Sequence, residues 1–210
     1  MTDAALTLMQ WLSPAFPVGA FAYSHGLEQA VADGQVNDAQ SLQDWIETLI
    51  TQGSARADAI LLAAAYDATD PAHVDATARA FAPGAERLKE SDLQGAAFCD
   101  TARTVWAIDI AGLTYPVAVG AAARAMKLPL SQTLPLYLHA FASNLVSAAQ
   151  RLMPLGQTVG QQILATLAAP IATTAKEAET TTLDDLSATS FAADIAAMRH
   201  ETLAPRIFRT

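Results

Sequence analysis

Apolar positions recur along this chain at helical spacing, while the strict alternation of a half-buried strand is nearly absent. After Asp38, a good capping residue, Leu42, Trp45, Ile46, Leu49 and Ile50 fall at i, i+3, i+4, i+7 and i+8. An Ala- and Leu-rich helix follows over Ala57–Ala68. "TDPAHVDATARAFAPG" places Asp70 as cap, Pro71 in the first helical position and a stop at Pro83-Gly84. From Ala85 to about Ile110 one face reads Leu88, Ser91, Gly95, Phe98, Ala102, Val105 and Asp109, and its small residues predict close approach by a neighbour. Thr114 and Pro116 open "PVAVGAAARAM"; Ser131 caps the strongest pattern, Leu134, Leu138, Phe141, Leu145, Ala148 and Leu152, with Pro135 in its first turn. Pro154 and Gly156 break the chain, "TVGQQILATLA" resumes up to Pro170, and further helices are predicted near Ile171–Glu179 and Phe191–Glu201. The closing "LAPRIFRT" is not helical by pattern. No solenoid period and no long linker interrupts this order. The expectation is a single all-α domain over residues 1–210, with about ten helices.

Composition sharpens that picture. Charged residues make up 16% of the chain and hydrophobic ones 52%, against roughly 25% and 45–50% in ordinary domains. Surplus apolar character predicts that another chain covers part of the surface. The formal net charge of −9 repels a phosphate backbone, so nucleic acid is excluded as a partner class. One cysteine, Cys99, permits no intrachain disulfide and suits a reducing compartment. The weakly polar stretch from Ala107 to Met126 is interrupted by Asp109, Gly112, Pro116 and Arg124, which predicts buried helices instead of a membrane span. A cytoplasmic protein is expected.

Three chemistries deserve weighing. Ser24, His25 and Glu28 invite a Ser–His–acid reading, but neighbours at a helix start point about 100° apart and no G-x-S-x-G turn is present. Ser24 reads more simply as a helix cap, with Gly26 admitting a close neighbour. His25 and Glu28, at i and i+3, would share a helix face and supply two metal ligands; His200–Glu201 is a weaker pair, and His73 and His139 stand alone. A closed site needs about four ligands, and no cluster of that size is spelled out. The glycines at 19, 26 and 34 form no phosphate loop. What remains looks like recognition. Pro14 and Pro17 predict an extended path displaying Phe16, Phe21 and Tyr23, and Arg206, Phe208 and Arg209 are types enriched at interface hot spots.

Four blocks carry a family resemblance: "LSPAFPVGAFAYSHGLEQAV" with the Gly34-x-Val36 after it, "KESDLQG" at Lys89–Gly95, "SNLVSAAQRLMPLGQTVGQQIL" at Ser143–Leu164, and "MRHETLAPRIFRT". In order and spacing they resemble UreF-type urease accessory proteins over essentially the whole chain. Ala20, Ala22 and Thr210 depart from the usual Gly, Ser and Ser, each by a small residue. The resemblance implies an all-α, non-enzymatic chaperone that works as a homodimer. It would join a scaffold accessory protein, recruit the accessory GTPase and help deliver nickel to the urease apoenzyme, the metal being handled by the assembled complex with no cofactor held stably by this chain. Carried over by position, Arg206, Ile207, Phe208 and Arg209 would dock on the scaffold. Phe16, Pro17, Tyr23, His25 and Glu28, with Arg151 and Gln157, would shape the dimer and the GTPase-facing surface. Arg151 or Arg124 would serve as an arginine finger, or else the chain would organise the GTPase and couple its nucleotide state to metal release; the second role is favoured, because either arginine can also cap a helix end. The rival readings are a soluble nickel-binding protein acting alone and a helical serine hydrolase.

Overall fold

The central element is a helix with almost no polar face. In the computed structural model, which describes residues 3–210, α4 (Ser54–Asp67) buries Ala55, Ala57, Ala59, Ile60, Leu61, Leu62, Ala63 and Ala65, so its Ala- and Leu-rich sequence is that of a helix surrounded by others. Packed on it are α3 (Ala39–Gln52), α5 (Ala72–Phe81), α7 (Tyr115–Ala125), α8 (Leu130–Leu152) and α9 (Gln157–Ala178). Around this centre lie α1 (Asp3–Trp11), α2 (Leu27–Ala32), α6 (Ala85–Trp106) and α10 (Phe191–His200). The described residues form ten α-helices and two short 3-10 turns, without a strand. The chain is all-α, as its periodicity predicts.

Most boundaries follow the predicted chemistry. Asp38 caps α3 through the Ser41 amide at 2.8 Å, and Ser41 returns the bond in a capping box. Asp70 accepts the Ala72 amide at 3.0 Å, one residue later than a helix starting at Pro71 would have it. The small face of α6 does receive a close neighbour: a Cβ on Gly95 would collide with the Leu113 carbonyl in the loop entering α7.

Other boundaries moved. α6 ends at Trp106, because Ala107 adopts a left-handed conformation (φ 56°), leaving Val105 exposed and Asp109 outside the helix. α8 begins at Leu130, so Ser131 is not its cap and Pro135 lies inside the helix, not in its first turn. α9 continues through Pro170 to Ala178, joining two predicted helices into one. Its buried face (Ile163, Leu164, Leu167, Ile171, Thr174, Ala175 and Ala178) is continuous across the proline, and that burial outweighs one missing backbone hydrogen bond. The periodicity reading also omitted α1, whose Trp11 is fully buried edge-on against Phe98 (5.3 Å) and Trp106 (5.6 Å) of α6. No helix among the described residues is long and apolar enough to cross a membrane.

Candidate functional site

Residues 201–210 do not fray. They fold back over α2 and are held there by side chains from three distant parts of the chain: the α2 region, α6 and α8. Glu28, on α2, accepts the amides of Ile207 (2.6 Å) and Phe208 (2.8 Å), so one carboxylate satisfies two backbone donors of an irregular segment. Its second role is with His200, whose Nε2 lies 3.0 Å from Glu28 while Nδ1 lies 2.9 Å from Glu86. Glu86 also pairs with Arg206 at 2.5 Å. Burial alone would raise the Glu28 carboxyl, but the His200 ring and the two amides outweigh it and hold the group below the ordinary carboxylate range.

Further along, the Arg209 amide donates to the Ala22 carbonyl at 2.8 Å, and the Ser24 amide donates to the Thr210 carbonyl at 2.9 Å. The Ser24 hydroxyl donates to that same carbonyl and accepts the Glu28 amide at 3.3 Å. Phe208 is buried, with the Arg151 guanidinium 4.2 Å above its ring centre; Arg151 also donates to the Phe21 carbonyl at 2.7 Å. Asn144 completes the frame, donating to the Tyr23 carbonyl at 3.0 Å.

A backbone device admits α10 to this region. His25 (φ 52°) and Gly26 (φ 77°) are both left-handed, so α2 starts only at Leu27. A Cβ on Gly26 would sit 2.8 Å from the Ala197 nitrogen and 3.0 Å from the Ala193 carbonyl oxygen, both on α10. The left-handed pair also corrects the helix-face reading of His25 and Glu28, which point to different partners. His25 Nε2 lies 3.3 Å from Glu90, and its ring rests 4.6 Å from that of Phe141.

Beneath the closing segment runs a buried charge chain. Glu90 receives the Thr210 hydroxyl (3.4 Å) and faces Arg87 (3.5 Å), which pairs with Asp58 at 2.5 Å; Tyr137 donates to Asp58 at 3.0 Å. Burial pushes the Glu90 carboxyl up to about 7, though Arg87 pulls the other way. Burial, and then Arg87, hold His25 well below its ordinary value, so the imidazole is neutral. Arg87 stays charged, because Asp58 and Glu90 outweigh its own burial. Burial raises the Tyr23 hydroxyl, Glu90 adds to that, and Arg209 offsets part of it.

The predicted site residues therefore divide. Phe16, Tyr23, His25, Glu28 and Phe208 are occupied inside this chain's own fold, which corrects the expectation that Phe16 and Tyr23 are displayed. The Ser13–Val18 segment is a pair of turns, not an extended path, with the Phe16 amide on the Ser13 carbonyl at 2.9 Å. Pro17, Phe21, Arg151, Gln157, Arg206, Ile207 and Arg209 remain exposed. Arg124 caps the end of α4 through the Tyr66 (2.9 Å) and Asp67 (3.0 Å) carbonyls. Ser24 and His25 make separate contacts and form no nucleophile–base pair. Among the described residues no cluster of three or more His, Cys, Asp or Glu side chains is arranged to hold a metal ion. Sequence reasoning missed Asp58, Glu86, Arg87, Glu90, Asn144 and His200 as members of this frame. Their one signal was positional, since Glu90, Asn144 and His200 lie inside the very blocks that carry the resemblance, and those four blocks meet here.

Fold and site together define an all-helical protein whose polar interior fastens its own closing segment. Comparison with known proteins then narrows the class. A family model described as UreF matches residues 36–168. The whole chain is 56% identical to the urease accessory protein UreF of Roseobacter denitrificans, covering 95% of that protein. It is 58% identical to that of Ruegeria sp. (strain TM1040), covering 99% of it. With the Bradyrhizobium diazoefficiens protein of the same name, identity is 46% over 99% of this chain and 92% of that one. The chain belongs to the UreF family of urease accessory proteins.

Proposed function

We propose that this chain is a non-enzymatic chaperone of urease maturation. It forms a homodimer, bridges a scaffold accessory protein and the accessory GTPase, and couples the nucleotide state of the GTPase to delivery of nickel to the apoenzyme. Nickel is cargo of the assembled complex in this reading, not a resident of the chain. The observation that carries it is the fastened closing segment: Glu28, Ser24 and Arg151 hold residues 207–210 in one conformation, so Ile207, Arg206 and Arg209 are offered outward at reduced entropic cost. Ile207 is 67% exposed, a poor place for a branched apolar side chain unless a partner covers it. Phe21 is also 67% exposed, and its carbonyl is tied to Arg151, the residue that stacks on Phe208.

Co-purification from a urease-positive extract tests the role. The doubly substituted chain Ile207→Asp, Arg209→Glu should keep its helical content and lose the other accessory proteins. Retention of those partners by the folded variant would remove this segment from the interface. Arg151→Ala should leave GTP turnover of the reconstituted complex within about twofold if the chain organises the GTPase; a loss of ~10³-fold would mark an arginine finger instead.

A further inference from the structure

A cavity of about 220 Å³ opens to solvent between α4, α5, α6 and the start of α10. Its walls are mainly apolar, with Leu61, Phe81, Leu88 and Pro116 contributing. Three charged side chains line it: Asp58, Arg87 and Asp194. The first two cancel, since Arg87 lies 2.5 Å from Asp58, and Arg87 has a further carboxylate, Glu90, at 3.5 Å. Asp194 is left over. Half-buried in the first turn of α10, its carboxylate has no hydrogen bond or ion pair among the described residues. Burial raises this carboxyl above its ordinary value, the mark of a charge without compensation. The Ser54 hydroxyl at the rim is likewise without an internal partner.

We propose that this cavity binds a small organic cation, an alkylammonium or alkylguanidinium, with its head on Asp194 and its short stem against Leu61, Phe81 and Leu88. The chemistry excludes the other classes. An anion would meet two carboxylates against one already paired guanidinium. A neutral apolar ligand would bury Asp194 further with nothing to offset it. A hard metal ion needs six or more oxygens, whereas Asp58 is taken by Arg87 and Tyr137. At about 220 Å³ the cavity is smaller than the roughly 300–1,000 Å³ of drug-sized ligand sites, which suits a small head group on a short alkyl stem. This inference is independent of the urease role. An occupant would tie α10 to the α4–α6 body, and so strengthen the seat of Ala193 and Ala197 on Gly26.

Isothermal titration of the full chain with n-butylammonium and n-propylguanidinium tests it, with butan-1-ol and butyrate as matched controls. The cations should bind one per chain with Kd of about 1 mM or tighter, corresponding to ~4 kcal/mol, and the controls should not saturate. Asp194→Asn, which removes no internal bond, should weaken binding at least tenfold while leaving the circular dichroism unchanged. Filling the space with Ala82→Leu should abolish it. Amide shifts on adding cation to the unaltered chain should concentrate at Ala57, Leu88 and Asp194. Equal binding of butan-1-ol, undiminished affinity of the Asp194→Asn chain, or shifts confined elsewhere would each overturn the proposal, as would absence of saturable binding by both cations.

Discussion

Glu28 illustrates how much one side chain carries when it anchors backbone. It is buried, meets His200, and accepts two amides from residues 179 and 180 positions away. Replacing it with Gln leaves shape but halves the acceptors and removes the charge. Glu28→Gln should destabilise the fold by about 2 kcal/mol, and hydrogen exchange at Ile207 and Phe208 should accelerate more than at α4 amides. Equal acceleration everywhere would mean that the segment does not open separately from the core. Gly26 permits a cleaner comparison. Gly26 and Gly34 share a left-handed backbone (φ 77° and 71°), yet a Cβ on Gly34 meets nothing within 4 Å, whereas one on Gly26 meets α10. Gly34→Ala should cost only the conformational term, about 1–2 kcal/mol. Gly26→Ala should cost about 3 kcal/mol or more, the excess being the displacement of α10; urea midpoints of the two variants read the difference. Equal costs would deny α10 its seat on α2.

Among the elements, α9 is the one where local preference and tertiary packing disagree. Pro170 removes the amide that would bond the Thr166 carbonyl, a defect of roughly 3 kcal/mol in an isolated helix interior. The packed chain tolerates it because Leu167 and Ile171 are buried on either side. Pro170→Ala should therefore stabilise the protein by about 1–2 kcal/mol, part of the gain being offset by a freer unfolded chain. Thermal unfolding should shift upward by roughly 2–4 °C per kcal/mol at this size; a downward shift would show that the proline ring itself packs. At α3 the two levels agree, and Asp38→Ala should cost about 1 kcal/mol by deleting its cap.

For the molecule as a whole, the buried His25–Glu90 pair shapes the dependence of stability on pH. Both groups are neutral in the fold below about pH 7, whereas in the unfolded chain His25 titrates near 6.5 and Glu90 near 4.5. Between those two ordinary values, each state holds one proton on the pair, so the pair contributes no slope. As pH falls through 4.5 the unfolded chain takes up an additional proton at Glu90, and Glu28, whose folded value is depressed, adds a second loss in the same direction. As pH rises from 6.5 towards 7, the unfolded chain releases the His25 proton while folded Glu90 keeps its own, and stability declines slightly. Urea midpoints should thus be nearly level from pH 5 to 6.5 and fall below 4.5. Glu90→Gln uncovers the histidine: its stability should drop by about 1.4 kcal/mol per pH unit below 6.5. A level profile in that variant would mean that His25 is protonated in the fold.

The helical class, the cap at Asp38, the close contact at Gly95 and the family blocks are local properties, legible because period, capping and turn chemistry act within a few residues. Pro135 and Pro170 were misplaced for the same reason, since only the packed surface around them decides whether a broken bond is tolerated. Glu28 and His200 lie 172 positions apart, and Asp58 and Tyr137 lie 79 apart; no spacing rule links such pairs. Sequence alone determined that this chain is built of helices and that its closing segment is not one of them. The tertiary structure alone decided that Phe208 and Tyr23 turn inward, that Ile207 turns outward and that Asp194 is left without a partner. Burial and charge compensation are sums over neighbours, and neighbours exist only once the chain has folded.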